Sequence, residues 1–177
     1  MPAIDPAPLF RRLIGGAFDT LPERIRAIHE APCVLRGQCD VRRGDGILSR
    51  LCGALAGMPP AGDRVPVVVT ITRDGEDEIW RRDFGGRGFT SRLGEYGGDL
   101  KERLGPTTFR FRLVVDGEAI RWDVVGARVL GIPLPPWATS GILARESIRE
   151  GRYCFDVSAA LPLVGFVVHY RGVLDPP

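Results

Sequence analysis

The chain has 177 residues, of which 44% are hydrophobic and 26% charged, and its formal net charge is +2 at pH 7. This composition excludes intrinsic disorder, because hydrophobicity is not low and net charge is not high. A folded chain of this length buries about 70% of the surface of its unfolded form. We therefore expect residues 1–177 to form a single domain with one core.

The charge pattern does not favour a nucleic-acid partner. The basic residues are 23 arginines and one lysine, but acidic residues are interspersed among them, so we predict no nucleic-acid binding. We also predict no membrane span, because the uncharged stretches are short or are broken by proline, as at Pro133, Pro135 and Pro136. Met1 to Asp5 lacks the pattern of a secretory signal.

The cysteines indicate packing residues of a reduced, cytoplasmic protein. Their spacing contains no C-x-x-C and matches no zinc site, so we predict no metal site. We also predict no cofactor. The four are Cys33, Cys39, Cys52 and Cys154.

Apolar spacing and end signals predict three helices. The first starts at Asp5-Pro6 and ends at Gly15-Gly16. The second starts at the capping box Thr20-Leu21-Pro22-Glu23. The third covers Ile47 to Ala56 and places its apolar residues on one side. Those residues are Ile47, Leu48, Leu51 and Leu55.

The remaining segments favour antiparallel strands. Cys33 to Arg42 alternates between apolar and polar residues. Asp74-Gly75, Asp116-Gly117 and Glu150-Gly151 mark three hairpins, and Leu163 to Leu174 forms a final strand. With no alternation of strands and helices, a doubly wound nucleotide-binding sheet is disfavoured.

These elements predict an α+β fold. It consists of a strongly curved antiparallel sheet or open barrel of about eight strands, with two N-terminal helices and one helix after the first strand. We expect helices to cover the concavity or the mouth of the sheet.

Two-residue turns fix the register of each hairpin. If Asp74-Gly75 and Asp116-Gly117 are the turn residues, Val69 lies opposite Trp80 and Phe111 lies opposite Trp122. If Glu150-Gly151 is the third turn, Glu146 lies opposite Phe155.

The predicted register also places Arg112 directly opposite Arg121, an arrangement that is repulsive. A neighbouring acid, splayed side chains in water or an anionic ligand would each relieve it.

No strong catalytic motif is present. The sequence contains no P-loop, no G-x-S-x-G and no H-E-x-x-H. Gly85-Gly86-Arg87-Gly88 follows a strand without opening a helix, so we interpret it as a turn or bulge and not as a phosphate cradle.

Charged residues on otherwise apolar strand faces are the most informative feature. Glu78, Arg82 and Glu146 all fall on such faces, and burying any one of them alone is costly. They pair with each other in a salt bridge, or anchor a ligand in a wet cavity, or lie on an exposed face. In the second case the predicted ligand-binding residues are Trp80, Arg82, Trp122, Glu146, Tyr153 and Tyr170.

Glu146 and His169 are the catalytic candidates if the protein is an enzyme. A histidine near the polar end of a strand is more often a packed or surface residue than a catalyst. A catalytic His169 needs a neighbouring acid, for which Glu146 and Asp156 are available. His29 is explained by its place in the last turn of the second helix.

Several segments resemble the bacterial family known as domain of unknown function 4166. They are Trp80 to Gly86 with Phe89 and Ser91, Gly131 to Pro135, Leu161 to Gly165, and His169 to Gly172. The resemblance covers nearly the whole chain, and it implies no catalytic residues. Similar domains are fused to saccharopine-dehydrogenase-like or short-chain-type oxidoreductases, which implies an oxidoreductase partner.

Three hypotheses of function remain open. The first is a non-catalytic module that binds a small apolar or amphipathic ligand in a curved-sheet pocket. The second is a small cup-shaped enzyme that uses Glu146 or His169 as acid or base. The third is a protein-interaction domain that docks onto an oxidoreductase through Pro133 to Trp137 and its arginine-rich surface.

Overall fold

The fold is a closed antiparallel β-barrel with three α-helices, seen in a computed structural model that describes residues 7–55 and 57–175. The helices are α1 Leu9–Ile14, α2 Glu23–Glu30 and α3 Ile47–Leu55. Short 3₁₀ segments cover Gly15–Thr20 and Pro136–Ala138. The strands are β1 Cys33–Arg43, β2 Gly62–Asp74, β3 Asp77–Phe84, β4 Arg87–Tyr96, β5 Asp99–Leu104, β6 Thr107–Asp116, β7 Ala119–Val129, β8 Ile132–Pro133, β9 Gly141–Arg149, β10 Arg152–Leu161 and β11 Gly165–Asp175.

Neighbours in the chain are almost always neighbours in the barrel. The strands follow one another from β1 to β7 and from β9 to β11, and β7 pairs with β9. Pairing of β1 with β11 closes the ring. The two-residue β8 lies outside this ring and pairs only with the end of β7.

The broad α+β class and the placement of the helices are confirmed, but the number of strands is wrong. Ten strands form the ring where about eight were predicted, and the ring is closed, not open. The two strands missed in the ring are β4 and β5. Both are bounded by glycine turns, at Gly85-Gly86 and Gly97-Gly98, and the first of these confirms the predicted turn.

Two of the three predicted hairpin registers are wrong by two residues. The central turn residues are Gly75-Glu76 and Gly117-Glu118, so the aspartate before each glycine is the last residue of its strand. Both glycines have φ above +60°, as a type II′ turn requires at its first central position. The third turn, at Glu150-Gly151, is confirmed.

A shift of two residues leaves each side chain on its predicted face of the sheet. Ile71 now lies opposite Trp80 and Leu113 opposite Trp122, with the tryptophans still inside. The predicted contact between Arg112 and Arg121 is wrong, because Arg112 lies opposite Asp123.

The alternation of turns gives the barrel two different ends. The end that we call the closed end carries the turns at residues 75–76, 97–98, 117–118 and 150–151. The opposite end, called the mouth, carries the connections at residues 44–61, 85–86, 105–106, 130–140 and 162–164.

The N-terminal helices plug the closed end. Phe10, Phe18 and Ile25 are fully buried there, and α1 and α2 contact strands on both sides of the barrel. The first helix continues as the 3₁₀ segment beyond Gly15-Gly16, and the predicted start at Asp5-Pro6 lies outside the described residues.

The predicted capping box of the second helix is wrong. Helix α2 begins at Glu23 with Pro22 as its N-cap, so no side chain caps it. The hydroxyl of Thr20 donates instead to the carbonyl of Ala17, 2.8 Å away, at the end of the 3₁₀ segment.

Candidate ligand-binding cavity

The interior of the barrel contains a cavity of about 160 Å³. Inward-facing side chains of alternate strand positions line it, and most of them are apolar or aromatic. The lining extends from Leu174 and Tyr153, near the closed end, to Met58, Leu104 and Ile142 at the mouth. The strands thus form an apolar pocket that is not filled by their own side chains.

All six predicted ligand-binding residues line this one cavity. They come from β3, β7, β9, β10 and β11, so only closure of the barrel brings them together. The side chains of Arg82 and Glu146 both point inward, which rules out the exposed-face alternative.

Glu146 is held by a residue that the sequence analysis did not select. Its carboxylate accepts a hydrogen bond from the Nε2 of His29, 2.7 Å away, and both side chains are almost fully buried. The His29 ring also stacks on Phe10, with the ring centroids 3.7 Å apart. His29 lies four residues after Ile25, on the buried stripe of α2, and this spacing is the signal that could have identified it.

Glu78 is a second buried carboxylate beside this pair. It accepts a 2.8 Å hydrogen bond from the indole N–H of Trp80. Burial raises the pKa of Glu78, and the hydrogen bond from Trp80 and the nearby His29 offset only part of that effect. The sequence had placed Glu78 on this inward face, because it is two positions before Trp80 on β3, and its burial is confirmed.

Arg82 pairs with a different acid from the one that was predicted. Its guanidinium donates to the Ser91 hydroxyl at 2.6 Å and to the Glu102 carboxylate at 3.3 Å. It also lies over the rings of Trp80 and Phe89, at 4.9 and 5.3 Å from their centroids. The predicted pairing of Arg82 with Glu146 is wrong, since each has another buried partner.

The tyrosines of the cavity stay protonated over a wide pH range. Burial raises the pKa of Tyr170 to about 12. Burial, and the charge and hydrogen bonding of the neighbouring Glu146, hold the pKa of Tyr153 well above its usual value. Both hydroxyls are therefore neutral near pH 7, and that of Tyr153 has Glu146 as its partner.

Trp122 has an unsatisfied donor. Its indole N–H is buried and finds no hydrogen-bond partner in the part of the chain that the structure describes. The ring itself is packed between Trp80, Phe111 and Phe10. A buried donor without a partner costs about 1–3 kcal/mol.

His169 lies away from the cavity, on the outer face of β11. Its imidazole is 2.8 Å from Asp156, and about a third of its side chain is exposed. Of the two acids named for it, Asp156 is the partner and Glu146 is not. The two catalytic candidates are thus separated by the barrel wall, and only Glu146 reaches the cavity.

Possible metal ligands and the cysteines are further chemical groups that bear on the site. Within residues 7–55 and 57–175, no group of three or more His, Cys, Asp or Glu side chains is placed to hold a metal ion. The four cysteines are free thiols. Burial raises the pKa of both Cys33 and Cys39 to about 11.

Residues 21–174 match the family model described as "Domain of unknown function (DUF4166)". The chain belongs to this family. The matched range starts two residues before α2 and includes every strand of the barrel except the last residue of β11. No curated protein matches the chain.

Membership in DUF4166 confirms the resemblance seen in the sequence. The family description assigns no activity, so the chemistry of this member is inferred from its own residues. Among the described residues, no helix is long and apolar enough to cross a membrane.

Proposed function

We propose that this barrel binds a small, neutral, apolar or amphipathic molecule in its interior. The observation that carries the proposal is the cavity itself, since the inward-facing residues leave about 160 Å³ unfilled inside an apolar wall. Protein interiors are normally packed to the density of organic crystals, with few voids larger than one water molecule. An apolar void of this size favours an apolar guest over water.

The volume limits the part of the ligand that is enclosed. An engineered apolar cavity of about 150 Å³ binds benzene. The enclosed part is therefore about the size of one aromatic ring or a short alkyl chain. A longer ligand extends toward Met58 and Ile142 at the mouth.

The polar groups favour a hydrogen-bond acceptor and disfavour an anion. Trp122 has an unused N–H and Tyr170 keeps its hydroxyl proton, whereas the Tyr153 hydroxyl already has Glu146 as a partner. Arg82 is already engaged by Ser91 and Glu102. The two carboxylates of the wall, Glu102 and Glu146, also have partners in Arg82 and His29. A buried carboxylate of a ligand would find no free cation among the described residues of the wall, so a carbonyl, ester or ether oxygen suits the cavity better.

Calorimetry with two probes of equal size tests this proposal. Acetophenone and ethylbenzene differ in the carbonyl that can accept from Trp122. We expect both to bind, and acetophenone to bind about 3- to 10-fold more tightly, as one net hydrogen bond allows. Absence of binding by both probes overturns the proposal.

A matched pair of variants tests whether the probes bind inside the cavity. Ala144→Phe fills the cavity and should abolish binding of both probes, whereas Val125→Phe on the outer face of β7 should not affect it. Trp122→Phe should remove the preference for acetophenone and leave ethylbenzene binding nearly unchanged.

Glu146 favours a second candidate function, an enzyme acting on a carbonyl compound. Its carboxylate lines the cavity and is positioned by His29, so it can exchange a proton with a bound molecule. The position of His169 outside the cavity leaves Glu146 as the acid or base. Glu146→Gln should then abolish turnover and retain binding of the substrate analogue, and loss of binding together with turnover would contradict a catalytic role.

A docking role toward an oxidoreductase stays a prediction. The Pro133 to Trp137 segment leaves Trp137 more than half exposed. The free thiols are compatible with the reducing cytoplasm that was predicted. Calorimetry with purified saccharopine-dehydrogenase-like and short-chain-type oxidoreductases tests this role. Trp137→Ala is the control variant and should lose binding.

A further inference from the structure

Exposed apolar side chains are concentrated at the mouth of the barrel. Eleven large hydrophobic residues are exposed in the described chain, and eight of them belong to the mouth connections or to the strand residues beside them. A monomeric surface normally scatters such residues singly, and their clustering marks a contact surface.

Helix α3 presents three apolar side chains outward. Ile47 is 85% exposed, and Leu48 and Leu51 are each 54% exposed. The helix packs on β11, where the Ser49 hydroxyl donates to the carbonyl of Phe166 at 2.6 Å. These apolar side chains are therefore exposed on a helix that is docked to the barrel.

The neighbouring connections continue this apolar surface around the mouth. Leu163, in the β10–β11 turn, is 93% exposed, and Phe166 at the start of β11 is 43% exposed. The connection at residues 130–140 adds Leu130, Ile132 and Trp137, all more than half exposed. It contains no charged residue. We call these five residues, together with Ile47, Leu48 and Leu51 of α3, the mouth rim.

Charge is distributed unevenly between the two ends. The mouth connections, taken with the two flanking residues of each strand of the ring, contain six arginines and three aspartates, a formal net charge of +3. The arginines are Arg42, Arg43, Arg50, Arg87, Arg103 and Arg128. The aspartates are Asp45, Asp63 and Asp83.

The closed end has the opposite charge. We count the four turns of the closed end, the two flanking residues of each strand there and residues 7–32. Together they contain seven arginines and thirteen acidic residues, a formal net charge of −6. A surface of negative charge therefore attracts the mouth and repels the closed end.

Four arginines near the mouth are available for an external anion. Arg50, Arg87, Arg103 and Arg128 are exposed and form no ion pair with any other described residue. Arginines next to exposed tryptophan, leucine and phenylalanine side chains are the combination that binds the interface of an anionic bilayer.

We propose that the mouth rim docks on the surface of an anionic membrane. The apolar side chains enter the boundary between headgroups and acyl chains, and the arginines contact the anionic headgroups. Docking places the mouth end of the cavity, at Met58, Leu104 and Ile142, against the acyl region. The proposal goes beyond ligand binding and stands on the surface alone, because it requires no molecule in the cavity.

Flotation of the full chain with lipid vesicles tests the proposal. We use vesicles of phosphatidylcholine with 30% phosphatidylglycerol, and vesicles of phosphatidylcholine alone. We expect binding at least 10-fold stronger to the anionic vesicles, and weaker binding as salt rises from 0.05 to 0.5 M. No binding to anionic vesicles, or equal binding to both compositions, overturns the proposal.

A matched pair of variants locates the contact. Trp137 at the mouth and Tyr96 at the closed end are each 57% exposed. Trp137→Ser should lower vesicle binding at least 5-fold, and Leu163→Ser should act in the same direction, whereas Tyr96→Ser should leave it unchanged. Equal loss in Trp137→Ser and Tyr96→Ser overturns the assignment of the mouth.

Two further measurements complete the test: vesicle binding by charge variants, and the oligomeric state in solution. Arg50→Gln with Arg87→Gln should weaken binding to anionic vesicles and reduce its dependence on salt. Circular dichroism should show unchanged melting, because the altered side chains are exposed. A dimer in solution that Leu163→Ser converts to a monomer would show that a second copy covers the mouth, and would overturn the proposal.

Discussion

His29 and Glu146 meet inside the barrel at 2.7 Å, although 117 residues separate them in the chain. One lies at the end of the helix that plugs the closed end, and the other lies on a central position of β9. Their hydrogen bond therefore connects the plug to the barrel wall. It also fixes the orientation of the carboxylate that reaches the cavity.

Removing one member of this pair should destabilise the fold. His29→Phe keeps a ring for stacking on Phe10 but leaves the Glu146 carboxylate buried without its partner. We expect the free energy of unfolding in urea to fall by about 3 kcal/mol. The double variant His29→Phe/Glu146→Leu should lose less than the sum of the two single variants. Additive losses would show that the two residues are not coupled.

Glu78 should make stability depend on pH. Because burial raises its pKa in the folded state above the ordinary 4.5, the folded chain binds the proton more tightly than the unfolded chain. Stability therefore falls as pH rises from about 4 to the folded pKa, and is constant above it. Glu78→Gln keeps an acceptor for the Trp80 indole. Because glutamine does not ionise, the fall of stability with pH that Glu78 causes should be absent in this variant.

Urea unfolding between pH 4 and 8 measures the effect of Glu78. The stability of Glu78→Gln relative to the natural chain should increase with pH across the lower part of this range. Glu118→Gln, in the exposed β6–β7 turn, provides the control for loss of one glutamate. A stability difference for Glu78→Gln that is independent of pH would contradict the prediction.

Local signals predicted the faces of the strands well, because alternation and Asp-Gly turns act over a few residues. Trp80, Trp122 and Tyr153 all face inward as the pattern predicted. The register errors arose because glycine occupies the first central turn position, and not the second, in two hairpins. An error of two residues preserves the face and changes only the neighbour across the strand.

Long-range pairing could not be predicted from these local patterns. Arg82 is nine residues from Ser91 and twenty from Glu102, and Glu146 meets a helix near the other end of the chain. Which acid each group finds depends on the closure of the barrel. The prediction that charged residues fall on an apolar face was correct, whereas their pairing required the topology.

Arg82 should stabilise the fold through Glu102. Both side chains are nearly buried, with exposed fractions of 13% and 11%. Arg82→Met retains the apolar stem but leaves Glu102 unpaired, so we expect a loss of about 2–3 kcal/mol in urea unfolding. The additional change Glu102→Leu should restore most of it. Failure of Glu102→Leu to restore stability would assign the loss to the stacking of Arg82 on Trp80 and Phe89.

The reactivity of Cys39 should report opening of the barrel. Its side chain is 2% exposed, and its pKa of about 11 leaves only about one thousandth of the thiol ionised at pH 8. Since the thiolate is the reactive form, Cys39 in the native chain should react with Ellman's reagent at least 100-fold more slowly than in 6 M guanidinium. Peptide mapping after timed labelling distinguishes Cys39 from the other three thiols. Rapid labelling of Cys39 in the native chain would show that the wall between β1 and β11 opens readily, which would contradict a closed barrel.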